Sequence, residues 1–409
     1  MDLIRRRHVF YVKGYDPQGA AEYHGIFQRE IRRFRKTWSV AAAVGELAID
    51  DDDIAHWSID TTGPQWQVAT RYEFLRLETF VTGNLARPIA VQMFRALRWI
   101  VGDLASGTTV RIVRASGRFA LHLIYLQTML LIWIAVAIAG GWLAGSVAAR
   151  LVALSAAAAI GIAVGVGLFA ALRPLADRTL ARPVGDAWPY LREFARGWPT
   201  GYDRMIEIFA RRLVAAARAD EADEILLVGH SAGGAVCPAI LARALELDAE
   251  LGRHGPSVLM MTIGSLMPAC ALHPKAERLR RAIRRIATEP AVLWIDCQAR
   301  KDAMNFYDFD PVAGVGVQVG PERPNPLIWK IRFRDMLSEE SYRRRRANYF
   351  RMHYQFILGN DLRAPYDYFM LTCGPLPVVE WAKRGNELVW TFLQDAGLAR
   401  DGVARSAQG

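Results

Sequence analysis

Cysteine and histidine are scarce in this chain. Its 409 residues include 4 cysteines and 8 histidines, and no two cysteines form a Cys-x-x-Cys pair. Neither a disulfide framework nor a zinc site is therefore predicted, and the thiols are expected to stay reduced, as in a cytoplasmic protein. No other metal and no organic cofactor is expected. The cysteines are Cys237, Cys270, Cys297 and Cys373.

A signal peptide and nucleic-acid-binding elements are also missing. The apolar run that follows Arg5–Arg7 extends for only about four residues, too short for the core of a signal peptide. The formal net charge is +10, and most of the positive charge is arginine. Because no arginine-rich stretch is interleaved with a recognisable nucleic-acid-binding element, no nucleic-acid partner is predicted. Attraction to anionic lipid headgroups explains the basic balance better.

What the sequence does contain is two long uncharged stretches. No charged residue lies between Arg118 and Arg150, and Leu151–Leu172 is uncharged throughout. About twenty apolar residues span the hydrocarbon core of a bilayer as a helix, and a buried helix of this length would normally carry a polar face. The sequence therefore predicts a transmembrane hairpin in residues 116–179, with helices at about 123–142 and 151–172.

Glycine spacing predicts how the two helices of this hairpin pack. Gly141 and Gly145 form one Gly-x-x-x-Gly spacing, and Gly161 and Gly165 form another. Because glycine has no side chain, such a spacing lets two helix backbones approach closely in a membrane.

Flanking arginines predict the orientation of the hairpin. They lie before and after it, whereas Arg150 alone lies in its turn. The positive-inside rule then places both ends in the cytoplasm, in a two-pass arrangement across the inner or plasma membrane. Residues 1–115 and 180–409 can therefore form one cytoplasmic domain, with the hairpin as an insertion. The flanking arginines are Arg111, Arg114, Arg118, Arg173, Arg178 and Arg182.

Residues 224–234 carry the most specific motif. They read Glu-Ile-Leu-Leu-Val-Gly-His-Ser-Ala-Gly-Gly, an apolar run that ends in a Gly-x-Ser-x-Gly turn. The glycines allow a sharp bend between a strand, Ile225–Val228, and a helix, Ala235–Leu247, so that the Ser231 hydroxyl projects above the sheet. We interpret Ser231 as a nucleophile, and the alternative is a glycine-rich turn in another doubly wound fold.

This segment resembles the nucleophile elbow of α/β-hydrolases and is more lipase- or esterase-like than protease-like. The resemblance implies a mostly parallel sheet with helices on both faces, and catalytic residues in the chain order serine, acid, histidine. The alternation of strands and helices independently indicates a parallel sheet covered on both faces. Predicted strands are His8–Lys13, Gln67–Leu77, Ser257–Ile263 and Ala291–Cys297, and predicted helices are 19–38, Tyr202–Arg218 and Ala276–Ile286. A further helix, Ile89–Leu104, is predicted either on the bilayer surface or against the sheet.

The resemblance also implies the partners of the serine, because a hydroxyl needs an imidazole base oriented by a carboxylate. Asp302, in the loop after the strand that contains Trp294, matches the family's acid best. Asp310, in an Asp-Pro-Val triplet, is the runner-up. His353 is the only histidine beyond Asp302 and is the predicted base. Two other C-terminal histidines, His254 and His273, are interpreted as surface-loop residues.

An oxyanion hole needs two preorganised N–H donors. The resemblance implies that one is the Ala232 backbone N–H and that the other comes from the loop at Gly14 and Tyr15, with Tyr15 preferred. The chain has Lys13-Gly14 where the family often has His-Gly, so the identity of the second donor stays open. The basic run Arg343–Arg346 is interpreted as a solvated helix face, with contact to anionic headgroups or an acidic substrate as the alternative.

Together these features predict a membrane-anchored serine hydrolase that cleaves lipid or lipophilic carboxylic esters through Ser231, His353 and Asp302. The preference for lipophilic esters depends on the predicted membrane location and on the family resemblance. Two alternatives stay open: an acyltransferase with the same triad, and a non-catalytic membrane protein that uses the scaffold for binding or assembly. The sequence does not determine the oligomeric state.

Overall fold

The computed structural model describes residues 2–178, 181–197, 201–384 and 387. The chain divides into two compact units. One unit contains Met1–Val81 together with Glu193–Gly409, and the other contains Thr82–Arg192.

The first unit contains the strands. They are β1 (Arg6–Val12), β2 (Ala41–Val44), β3 (Ala48–Ile49), β4 (Ile54–Gly63), β5 (Trp66–Leu75), β6 (Glu224–His230), β7 (Ser257–Ile263), β8 (Leu293–Ala299) and β9 (Leu327–Ile331).

Helices occur in both units, and two of them cross the boundary between the units. They are α1 (Ala20–Trp38), α2 (Glu78–Leu85), α3 (Ile89–Ala105), α4 (Thr108–Ala115), α5 (Gly117–Ala148), α6 (Leu154–Ala171), α7 (Arg173–Arg178), α8 (Ala181–Arg196), α9 (Tyr202–Ala219), α10 (Gly233–Leu247), α11 (Met267–Ala271), α12 (Glu277–Ala287), α13 (Phe333–Met336), α14 (Glu339–Arg345), α15 (Tyr349–Tyr354), α16 (Tyr368–Cys373) and α17 (Val378–Arg384).

Within the described residues, nine strands form one mixed and mostly parallel sheet. The order is β2-β4-β5-β1-β6-β7-β8-β9, and β3 pairs with β4. Six neighbouring strands, β5, β1, β6, β7, β8 and β9, run parallel to one another. The strands β2, β3 and β5 each run antiparallel to β4. Parallel strands present their carboxyl ends at one edge, and this edge is where α/β sheets bind ligands.

The sheet is covered by helices on both faces, because alternate residues of its central strands are apolar on either side. On one face, Val9 and Tyr11 of β1 belong to a buried cluster that includes Phe27 and Phe34 of α1. On the other face, the Phe10 ring packs edge-on against Phe209 of α9, with centroids 5.4 Å apart. The α/β class and the mostly parallel sheet predicted from the sequence are therefore confirmed.

Most predicted elements lie within a few residues of the observed ones. The strand Ser257–Ile263 matches in both bounds, and Ala291–Cys297 is shifted to Leu293–Ala299. The antiparallel extension formed by β2, β3 and β4 was not predicted. The apolar Trp57 and Ile59 alternate with the polar Ser58 and Asp60, which is a strand signal in the sequence, and in the structure every second residue from Trp57 to Thr61 is buried.

The second unit contains two helical stretches that are long and apolar enough to cross a membrane, Gly117–Ala148 and Leu154–Leu175. Both have a mean hydropathy of 2.1, yet only 28% and 11% of their most apolar windows are buried. The apolar side chains are therefore mostly left uncovered by the protein itself. The most exposed include Leu121, Ile138, Trp142, Leu151, Leu154 and Ile162.

The predicted packing role of the glycines in this hairpin is confirmed. A Cβ atom placed on Gly141 would lie 2.6 Å from the carbonyl oxygen of Gly161, and one on Gly161 would lie 2.8 Å from that of Gly141. Near the other end, the Trp133 ring stacks on Phe169 with centroids 4.2 Å apart. The helix α3 belongs to this same unit, where it contacts α4.

A buried carboxylate in β8 makes the stability of the first unit depend on pH. Asp296 accepts hydrogen bonds from Thr262 Oγ1 at 2.5 Å and from Gln298 Nε2 at 2.8 Å. Burial outweighs these hydrogen bonds and raises its pKa from 3.8 to about 6. The folded state therefore favours the neutral acid, and this contribution to stability is lost as the pH rises from about 4 to 6.

We expect Asp296→Asn to remove this pH dependence. A shift of two pKa units corresponds to about 3 kcal/mol, or roughly 5 °C in the unfolding temperature. In thermal unfolding of the full chain in detergent, the unfolding temperature of the variant should therefore rise relative to that of the unsubstituted protein between pH 4 and 7. Asp308→Asn, a change at an exposed carboxylate of the following loop, is the control and should give a constant difference. A constant difference for Asp296→Asn as well would contradict the assignment.

Candidate active site

Ser231 lies at the carboxyl edge of the sheet, between β6 and α10. Its backbone has a φ of 57°, in the left-handed region that a non-glycine residue seldom adopts. The conformation is held from both sides: the Ser231 N–H donates to the Ile263 carbonyl at 3.1 Å, and the Ser231 carbonyl accepts from the Leu266 N–H at 3.0 Å. Strain of this kind is concentrated at functional sites.

Close backbone contacts explain the glycines of this turn. A Cβ on Gly233 would lie 2.6 Å from the Lys13 carbonyl oxygen, because the end of β1 passes against the first turn of α10. A Cβ on Gly229 would lie 2.8 Å from the Gly233 carbonyl oxygen, and one on Gly234 would lie 2.8 Å from the Ser265 Cβ. The turn can therefore be this tight only with glycine at these three positions.

Asp302 and His353 are brought together from positions 51 residues apart in the chain. The Asp302 Oδ2 atom lies 2.8 Å from His353 Nδ1, and both side chains are buried. Asp302 also accepts hydrogen bonds from Asn305 Nδ2 at 2.9 Å and from the Met304 N–H at 2.8 Å. An ionised carboxylate only accepts, so this contact favours the tautomer with a proton on Nδ1, and in the neutral imidazole Nε2 then has the lone pair.

The third contact of a triad, between Ser231 Oγ and His353 Nε2, is not made in this structure. His353 Nε2 is buried and has no hydrogen-bond partner among the described residues. The His353 ring is nevertheless close to the turn, since a Cβ on Gly264 would lie 3.0 Å from His353 Cε1. Gly264 directly follows Ile263, whose carbonyl accepts from the Ser231 N–H. In structures without substrate, catalytic hydrogen bonds are often long and tighten only in the complex.

Asp310, the runner-up acid, and Asp296 at the strand end are engaged elsewhere. Asp310 pairs with Arg323 at 2.5 Å and accepts from the Val312 and Ala313 N–H groups. Burial alone would raise its pKa, but these hydrogen bonds and the arginine charge lower it. Asp296 binds Thr262 and Gln298, as described above. Of the three aspartates, only Asp302 binds His353.

Two other C-terminal histidines, His254 and His273, are predicted to lie in surface loops, and the structure confirms this for only one of them. His254 lies in an exposed loop as predicted, with a side chain 84% exposed. The prediction for His273 was wrong, because its side chain is buried and its Nε2 lies 2.7 Å from Arg196 Nη2. Its Nδ1 accepts from the Lys275 N–H, so this histidine organises the chain after α11.

The loop after β1 lies directly beside the serine. A Cβ on Gly14 would lie 3.5 Å from Ser231 Oγ, and Tyr15 follows in the same loop. The N–H groups of Gly14 and Ala232 donate to no acceptor in the part of the chain that the structure describes.

Asp16, which the sequence analysis did not single out, connects this loop to the element that carries His353. Its Oδ2 atom accepts from Tyr23 OH of α1 at 2.7 Å and from Tyr354 OH of α15 at 3.2 Å. Its Oδ1 accepts from the Gln18 N–H at 2.9 Å. An aspartate in a Gly-Tyr-Asp-Pro turn is readable as a turn residue, but its distant tyrosine partners have no sequence signal.

Lys13 provides the positive charge next to this carboxylate. Its side chain is buried, donates to the Gln18 carbonyl, and lies 3.4 Å from Asp16 Oδ1. Burial lowers the pKa of Lys13, and Asp16 opposes this shift. The loop is thus held by charged groups that face inward.

The basic run in α14 is largely engaged within the protein. Arg343 and Arg344 pair with Glu339 and Glu340 at 3.0 and 3.2 Å, one helical turn away. Arg345 is buried, and its Nη1 donates to Gln355 Oε1 at 2.6 Å. Such i,i+4 pairs are typical of a solvated helix face.

The cysteines and other potential metal ligands are dispersed. All four cysteines are buried, and no disulfide links them. Across the described ranges, no three His, Cys, Asp or Glu side chains are grouped so that they could hold a metal ion.

Comparisons with known proteins add no relative. No protein-family model, no curated protein and no solved structure matches this chain.

Proposed function

We propose that the protein is a membrane-anchored serine hydrolase of the α/β-hydrolase type, which cleaves lipid or lipophilic carboxylic esters. Ser231 is the nucleophile, His353 the general base and acid, and Asp302 the carboxylate that orients the base. The hydrolase domain comprises residues 1–115 and 180–409, and residues 116–179 form the transmembrane hairpin.

One observation carries this proposal: the buried hydrogen bond between Asp302 and His353 beside a serine in a left-handed turn. Four residues at or beside this site follow neighbouring parallel strands, namely Gly14 after β1, Ser231 after β6, Gly264 after β7 and Asp302 after β8. Their convergence at one edge matches the arrangement that acyl transfer requires.

The proposed reaction has two steps. Ser231 Oγ attacks the ester carbonyl carbon and its proton moves to His353 Nε2, which then donates it to the departing alcohol as the ester bond breaks. Water next attacks the acyl-enzyme, loses a proton to Nε2, and the carboxylic acid leaves as that proton returns to Ser231. Asp302 holds Nδ1 and stabilises the imidazolium in both steps.

The negative charge that develops on the carbonyl oxygen needs N–H donors beside the serine. Ala232, at the start of α10, supplies one of them, and the loop at Gly14 and Tyr15 supplies the other. The proximity of Gly14 to Ser231 Oγ supports this assignment.

The apolar hairpin supports the proposed substrate class. Its side chains are largely uncovered by the protein, which supports insertion into a bilayer. An enzyme held at a bilayer encounters lipids and lipophilic esters at high local concentration. The same triad would also serve an acyltransferase, in which an acceptor other than water takes the acyl group.

A second candidate is a non-catalytic membrane protein that keeps the scaffold for binding or assembly. The observation that favours it is the missing hydrogen bond between Ser231 Oγ and His353 Nε2. The two candidates differ in whether Ser231 reacts with an electrophile.

We expect a fluorophosphonate probe to label the full chain stoichiometrically at Ser231. The serine oxygen bonds to phosphorus, fluoride leaves, and the serine proton moves to His353. Ser231→Ala should abolish labelling, measured by mass spectrometry of the intact chain. Ser265→Ala, which changes a neighbouring buried serine, should retain it. No labelling of well-folded protein would favour the non-catalytic candidate.

The two aspartate candidates should separate kinetically. Asp302→Asn places an amide donor against His353 Nδ1 and should lower the labelling rate by roughly 10⁴-fold. Asp310→Asn retains an acceptor for the Val312 N–H and should leave the rate within about threefold, because it does not contact the base. Single-turnover labelling measures both rates. Equal losses would show that the acid is misassigned.

The orientation in the membrane can be tested with single added cysteines, because the four native cysteines are buried. An impermeant maleimide applied to intact cells should label Arg150→Cys in the exposed turn of the hairpin. It should label Glu250→Cys, on the surface of the first unit, only after the membrane is opened. Labelling of Glu250→Cys in intact cells would overturn the cytoplasmic placement.

A further inference from the structure

The His230 ring lies against the imidazole of His353. His230 is the last residue of β6 and directly precedes Ser231. The two ring centroids are 4.7 Å apart and the ring planes are inclined by 29°, which is a stacked arrangement, and both side chains are buried. The stack covers one face of the His353 ring, while Asp302 binds its Nδ1 edge.

We propose that His230 is a positioning residue for His353 and that its uncharged ring fixes the plane of the base during proton transfer. This role rests on the proposed function, which assigns proton transfer to His353. The hydrogen bond to Asp302 fixes one edge of the imidazole but leaves the ring able to tilt about that bond. A flat surface stacked on its face removes this freedom, and precise orientation of a base requires such support.

The surroundings of His230 keep it uncharged. Burial, and then the nearby His353, lower the pKa of His230 well below its usual value. Its Nδ1 is buried without a hydrogen-bond partner in the described chain, and its Nε2 lies 3.4 Å from the His353 backbone carbonyl. His353, in contrast, has the Asp302 carboxylate at its Nδ1.

An uncharged aromatic ring is also a favourable neighbour for the imidazolium that forms in the reaction. The face of such a ring attracts a cation stacked on it, whereas a second charged imidazole would repel it. The Tyr354 ring lies edge-on to both imidazoles, with its centroid 5.4 Å from that of His230 and 6.2 Å from that of His353, and so packs beside the stack.

Two substitutions separate the stack from the weak hydrogen bond to the His353 carbonyl. His230→Phe keeps an aromatic face and removes the N–H, whereas His230→Asn keeps an N–H and removes the ring. Each full-length variant is purified in detergent, and kcat and KM are measured with a water-soluble p-nitrophenyl ester. Thermal unfolding is followed in parallel. His273→Asn, at a buried histidine that binds Arg196, is the control for loss of stability.

We expect His230→Asn to lower kcat by at least about tenfold, with KM within about twofold, because the base is misoriented but the substrate site is intact. His230→Phe should restore kcat to within about threefold, and His273→Asn should leave kcat unchanged while lowering stability. If the asparagine variant does not fold, His230→Leu fills the site without a ring and is compared with His230→Phe instead.

Full kcat in the ringless variant would overturn the positioning role, and so would an equal loss of kcat in His230→Phe. If the unsubstituted chain is fully active, either result contradicts only the positioning role and does not affect the proposed function. A chain without hydrolysis that depends on Ser231 would instead overturn the proposed function itself.

Discussion

The backbone crossing between the end of β1 and the first turn of α10 is the constraint on which the rest of the site depends. Gly233 lies against the carbonyl oxygens of Val12 and Lys13, so no side chain fits there. The chain must therefore turn sharply, and Ser231 takes up the turn with a left-handed backbone. The same crossing brings Gly14 next to the serine hydroxyl. Ser231, the proposed nucleophile, and the candidate oxyanion loop at Gly14 are thus positioned by one packing contact.

Asp302 and His353, the proposed acid and base, reach this point by a different route. Asp302 lies in a loop stabilised by buried polar contacts, and His353 lies in the short helix α15. Gln298 exchanges hydrogen bonds with the backbone of Phe309, and Asn305 ties Asp302 to the end of β8. Buried polar groups are costly unless every partner is present, so such networks specify one conformation. The proposed catalytic groups are accordingly held firmly, except for the open contact between Ser231 and His353.

How much of this site could be predicted from the sequence depends on how far apart in the chain the interacting residues lie. The elbow was readable because its glycines and its strand and helix are local. Asp302 and His353 were named from the resemblance to a family pattern, and their hydrogen bond could not be inferred from spacing. The tyrosine partners of Asp16 and the burial of His273 depend on distant packing, which left no local pattern. The apolar helices were the most readable elements, since length and composition alone define them.

The most direct test of the account is a structure of the full chain after reaction with a fluorophosphonate. The account predicts a phosphonyl group on Ser231 Oγ, with its oxygen within about 3 Å of the Ala232 N–H and of an N–H from the Gly14–Tyr15 loop. His353 Nε2 should then lie within about 3.2 Å of an oxygen of the adduct. An adduct on another residue, or an oxygen turned away from these N–H groups with His353 out of reach, would contradict it.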